Sequence, residues 1–66
     1  MNTAPTIPDA IRTFREKGAL SQQRLGALLG VSQATISLWE SGVTTPRGPA
    51  LLLLKQLVPD MPVQLQ

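Results

Sequence analysis

The sequence predicts an all-α fold of four to five short helices, and three observations lead there. Hydrophobic residues make up 42% of the chain, but Leu and Ala dominate them and Phe14 and Trp39 are the only aromatics. That balance favours helices over strands. A hydroxyl residue that can cap a helix precedes a glycine that can end it three times over: Thr6 and Gly18, Ser21 and Gly30, Ser32 and Gly42. Within each of these segments the apolar residues recur at helical spacing.

The first helix begins at Thr6-Ile7-Pro8-Asp9, with Thr6 as N-cap, Pro8 in the tolerated first turn and Asp9 facing the helix dipole. Ile7, Ile11 and Phe14 form its apolar stripe. Arg12, Arg15 and Lys17 point elsewhere and are expected on a solvated face. Gly18 is expected to stop it. Ser21 caps a second helix from Gln22 to Leu29, with Leu25, Leu28 and Leu29 as its apolar set and Gly30 as its end. Ser32 caps a third helix of about nine residues in which Ile36 and Trp39 pair at i, i+3 and face inward. Glu40 is expected to pair with a nearby basic side chain. Residues 43–48 are loop by composition. Pro49 opens a fourth helix, Ala50 to about Val58, expected to bury Leu51, Leu54, Leu57 and Val58. Residues 1–5 read as a frayed end. Pro59 and Pro62 break the remainder of the chain, and Val63 and Leu65 alternate with polar residues as an extended tail would. The expected organisation is a single domain over 1–66, with a core at 7–58 and a tail at 59–66.

Composition excludes several functions. The chain has neither Cys nor His, so disulfides, thiolate metal sites and the commonest acid/base side chain are all missing. Its carboxylates, at 9, 16, 40 and 60, fall on different elements, and no nucleophile–base pair is visible, so it reads as no enzyme, with no cofactor or metal. No apolar run approaches the ~20 residues of a membrane span, and no basic start leads into an apolar stretch. A cytoplasmic protein is expected. A net charge of +2 fits a nucleic-acid partner but argues for it only weakly.

The stronger signal is the junction Gly30-Val31-Ser32. Helices joined by so few residues cannot lie antiparallel and must cross steeply, at about 90–120°. So close a crossing needs small residues, which Gly26 and Ala27 supply, while Val31 plugs the turn. Leu25, Leu29, Ile36 and Trp39 can then form one apolar surface.

Leu20-Ser21-Gln22, Leu25, Leu29-Gly30-Val31-Ser32, Thr35-Ile36-Ser37 and Trp39-Glu40-Ser41-Gly42 carry a resemblance. They resemble the phage-repressor family of the Cro/CI type, the xenobiotic-response-element-like regulators. Pro46 fits as well, and the likeness covers roughly residues 7–58. It implies a lambda-repressor-like helix-turn-helix domain, the motif lying at 21–41. Residues 46–51 are similar to regulators encoded beside toxin or antitoxin genes.

On the face opposite Ile36 and Trp39 the third helix carries Gln33, Ala34, Ser37 and Leu38. Gln can pair bidentately with adenine, Ala and Leu can touch a thymine methyl group, and Ser can donate or accept. The resemblance implies that these four meet base edges, with Gln22, Ser32 and Thr35 on phosphates. Thr44 and Arg47, in the loop after the third helix, suit phosphate contact on charge and polarity, and Arg24 suits either phosphate or solvent. Two departures from the family stand out. Leu38 replaces a basic or long polar residue, leaving the third helix without a cation, and Gly26 replaces the more usual Ala, which predicts a slightly weaker scaffold.

Five leucines crowd the fourth helix, and one stripe cannot bury them all. Leu52 and Leu53 are expected to form a dimer interface together with Val63 and Leu65. Taken together, these features predict a small dimeric repressor that binds an inverted-repeat, double-stranded DNA operator in the major groove. The chain is expected to be too short to hold a separate ligand domain. The alternative is an antitoxin or adaptor that uses the same fold to bind a protein partner, such as a toxin.

Overall fold

The computed structural model describes residues 6–58 and Met61, and these contain four helices and no strand. They are α1 (Ile7–Lys17), α2 (Gln22–Leu29), α3 (Gln33–Ser41) and α4 (Pro49–Leu57). The expected extended tail, with Val63 and Leu65, lies outside the described residues, as does the expected frayed segment 1–5.

Each of the first three helices starts where its hydroxyl cap predicts. Thr6, Ser21 and Ser32 hold extended backbone, and their side-chain oxygens accept from Asp9, Arg24 and Thr35 N–H at 3.2, 3.0 and 3.2 Å. Such caps satisfy donors that a helix start leaves bare and contribute about 1 kcal/mol each. The fourth start has no side-chain cap. Gly48 precedes it and Pro49 takes the first turn, where its missing N–H costs nothing.

The stops follow one pattern, with one displacement. After α2 and α3, Gly30 and Gly42 adopt left-handed backbone with φ of 75° and 81°. After α1 the left-handed residue is Ala19, with φ of 54°, one position beyond the expected Gly18. Ala19 N–H donates to Glu16 O and Leu20 N–H to Arg15 O, at 3.1 and 2.9 Å, which closes the last turn in the Schellman arrangement.

The core gathers one stripe from each helix: Ala10 and Ile11, Leu25 and Leu29, Ile36 and Trp39, then Leu54 and Val58, with Met61 closing it. Ile7, Phe14, Leu20, Val31 and Ala50 pack around them. α3 lies against both α1 and α2, and α4 rests on α2. The expected apolar surface of Leu25, Leu29, Ile36 and Trp39 is therefore buried as a unit. Three expectations fail. Leu51 is only half-buried and stands outside the core. Leu28 is 54% exposed, because only Leu25 and Leu29, four apart, share the inward stripe of α2. Leu57 is 39% exposed, because Leu54 on α4 and the extended Val58 just after it take the inward places.

Gly26 also differs from expectation. A Cβ on this residue would stand 2.5 Å from the carbonyl oxygen of Val31 and 3.2 Å from the backbone of Ser32. The turn between α2 and α3 is drawn so tightly over α2 that backbone fills the space a side chain would need. Gly26 is thus a requirement of this scaffold and no weakness in it.

Candidate nucleic-acid interface

The short linkage that Gly26 permits sets the beginnings of α2 and α3 side by side. On α3, Ile36 and Trp39 turn inward, which leaves Gln33, Ala34, Ser37 and Leu38 exposed on the other side. Ser32 is exposed and Thr35 half-buried. Their hydroxyls lie 3.0 Å apart, and Ser32 is already occupied as a cap. Gln22 is half-buried on α2. Thr44 and Arg47 are exposed in the loop after α3, where Pro46 tucks inward. Thr44 N–H donates to Leu38 O at 3.4 Å and ties the loop's start to the end of α3. Beside the cap of α2, an open depression is lined by Ser21, Gln23, Arg24 and Ala27. Leu52 and Leu53 lie exposed on α4, away from these groups in sequence and element.

Behind this surface lies a polar network that the sequence only half revealed. Glu40 is buried, and its two carboxylate oxygens accept from Arg15 Nε at 2.6 Å and Arg15 Nη2 at 3.1 Å. Arg12 Nη2 donates to the Glu40 carbonyl at 2.8 Å, and Arg15 Nη1 to the Leu20 carbonyl at 3.0 Å. Gln22 Nε2 donates to Glu40 Oε1 at 3.2 Å, and Gln33 Nε2 to Gln22 Oε1 at 3.5 Å. The pairing of Glu40 with a basic side chain agrees with expectation. The expected solvated face is overturned for Arg15, which the buried carboxylate on α3 draws inward. The Arg12 side chain stays 41% exposed, pairing with Asp9 and donating to the Glu40 backbone carbonyl. Lys17 stays exposed, as expected.

Burial pushes the Glu40 carboxyl up, but hydrogen bonds from Arg15 and Gln22 and the nearby guanidinium charges outweigh it. The net effect holds Glu40 below its ordinary value, so it is ionised at neutral pH. Its hydrogen bonds to Glu40 raise Arg15 in turn. A signal for this network was present in the sequence. Glu40 follows Ile36 by four residues and so shares its buried stripe, where an acid needs a cationic partner.

Two capped helices on a tight turn, with polar and small residues bared along the second, define a DNA-binding domain of the transcription-regulator class. The chain belongs to the helix-turn-helix family, xenobiotic-response-element type, whose family model matches residues 11–56. It is 39% identical over 62 residues to Repressor protein C2 of Salmonella phage P22, an alignment covering 94% of this chain and 28% of that repressor. It is also 51% identical over 37 residues to a candidate HTH-type transcriptional regulatory protein of Methanoregula boonei, covering 56% of this chain and 12% of that protein. The chain therefore spans only a minor part of the length of these relatives. The comparison with solved structures returned no match.

Among the described residues no helix is long and apolar enough to cross a membrane, and no group of His, Cys, Asp or Glu could hold a metal ion.

Proposed function

We propose that this chain is a transcriptional repressor domain that binds an inverted-repeat operator as a two-fold dimer, each α3 lying in a major groove. The observation that carries the reading is the exposed row Gln33, Ala34, Ser37 and Leu38, backed by the buried pair Ile36 and Trp39. These side chains supply an amide for adenine, a hydroxyl and apolar groups for thymine methyls. Gln22, Ser32, Thr35, Thr44 and Arg47 would hold phosphates, fixing register without carrying sequence information. Half-sites would lie about one helical turn apart, roughly 34–36 Å. Similarity to a phage repressor supports repression as the outcome. The protein would act in the cytoplasm, with residues 1–66 as a single domain.

The dimer would form through Leu52 and Leu53, which are 61% and 39% exposed on α4, with residues 59–66 contributing. The same leucines, together with the exposed Leu28 and Leu57, favour a second reading. In it the domain is an antitoxin or adaptor whose bared leucines meet a different protein.

Selection from a random duplex pool at two salt concentrations tests the first reading. Enrichment of an inverted repeat with half-site centres about 10 base pairs apart supports it. A pool without any motif at low salt overturns it and shifts weight to the protein-partner reading, which co-purification of a second protein would support.

A further inference from the structure

Glu40 is buried, yet it stands at the head of a chain of hydrogen bonds that ends on the exposed Gln33. We infer that Glu40 is a positioning residue for base recognition, acting through the Gln22 amide to set which end of the Gln33 side chain faces the groove. This rests on the proposed role of Gln33 in meeting bases.

Donor and acceptor polarity decides the matter. A glutamine amide has nearly the same shape either way round, so its sense must come from its partners. An ionised carboxylate only accepts. Every side-chain group facing Glu40 is a donor: Arg12 and Arg15 from α1, and Gln22 from α2. Gln22 must therefore turn its NH2 inward to Glu40 Oε1, at 3.2 Å, which directs its own oxygen toward Gln33 and leaves the second NH2 hydrogen for the phosphate contact proposed above. That oxygen lies 3.5 Å from Gln33 Nε2 and attracts the NH2 end of Gln33 in its turn. One Gln33 hydrogen is thereby committed to Gln22. The other hydrogen and the free Oε1 remain, a donor beside an acceptor, which is the pair that adenine N7 and N6–H2 require.

The ion pair alone does not need this chain. The Arg15 fork already satisfies both carboxylate oxygens, so holding α1 to α3 would be complete without Gln22. The additional bond runs toward the exposed row and gives a buried charge influence over an exposed amide.

Glu40→Gln tests it, because the new amide can donate as well as accept and no longer dictates the sense of Gln22. Leu54→Ala, in the core away from the network, controls for lost stability. In the free, 15N-labelled protein, the Gln33 side-chain amide signals should move in Glu40→Gln and stay in Leu54→Ala. On the selected operator, Glu40→Gln should lose about five- to tenfold discrimination at the base pair that Gln33 reads, within the range of one bidentate contact. Other positions should keep theirs, and adding Gln33→Ala should cost less there than it does in wild type. Should Glu40→Gln fail to fold, Gln22→Met leaves Arg15–Glu40 intact; beyond the uniform loss of its phosphate contact, it should move the Gln33 signals and lower the same discrimination. Unmoved signals, or an equal loss over all bases, overturn the proposal while the base-reading role of Gln33 stands. A chain that selects no operator overturns both.

Discussion

Arg15 of α1 and Glu40 of α3 meet in a two-pronged contact, 2.6 and 3.1 Å, with the arginine side chain 18% and the glutamate 7% exposed. They stand 25 residues apart and join the first helix to the helix whose outer face carries the recognition groups. Removing one partner leaves the other charge buried and alone. Arg15→Met should therefore cost about 3–5 kcal/mol of unfolding free energy, measured by urea titration. A loss below about 1 kcal/mol would place this pair with exposed ones such as Arg12–Asp9, whose groups are 41% and 55% exposed.

Acid should weaken the fold through the same carboxylate. Glu40 is held below its ordinary value near 4.5 in the folded protein. As pH falls, the unfolded chain takes up its proton first, so the stabilisation is full above about pH 4.5 and is lost progressively below it. Asp9 shifts in the same direction, held down chiefly by its bond to Thr6. Thermal melts from pH 7 to 3 should show the drop in wild type and a flatter profile in Arg15→Met. Equal profiles would remove Glu40 as the titrating group.

Gly26→Ala sets two effects against each other. Helix propensity alone would favour alanine by about 1 kcal/mol. Against it stands the 2.5 Å approach of the added Cβ to Val31 O, which is backbone and cannot swing aside. Overpacking of this kind costs about 1–3 kcal/mol, so the variant should be net destabilised in denaturant titration. A stabilised variant would mean that the turn relaxes without cost.

Leu52 and Leu53 address the dimer. Replacing both by serine removes exposed apolar surface without opening the core, since Leu54 and Val58 do the burying. Sedimentation should show the self-association constant weakened at least tenfold with the melting temperature nearly unchanged. An unaltered constant would assign the interface elsewhere.

Much of the fold was legible because the signals that mark it are local. Ser21 and Ser32, with Gly30 and Gly42, bracket α2 and α3 within nine residues or fewer, and cap chemistry acts over three or four. The exposed row on α3 agrees with the inward spacing of Ile36 and Trp39. What stayed hidden depends on distant partners. Nothing near Arg15 announces that α3 will bring an acid to it, so α1's basic residues looked like an ordinary solvated face. Leu28 and Leu57 looked like core because they are leucines in leucine-rich helices, although i, i+4 neighbours had taken the inward places. Met61 joins the core beyond the proline at 59, where no periodic pattern runs. Gly26 looked like a flaw because only the folded turn shows what sits against it.

Base reading by the outer face of α3 is the point on which the proposed function turns. The most direct measurement takes the selected operator, substitutes each base pair in turn, and compares the affinities of wild type and Gln33→Ala. Gln33→Ala should flatten preference at one symmetry-related pair of positions, removing about 1–3 kcal/mol of discrimination there and leaving the others intact. A uniform fall in affinity with every preference preserved would contradict base reading and return Gln33 to the phosphate-binding or solvent-facing groups.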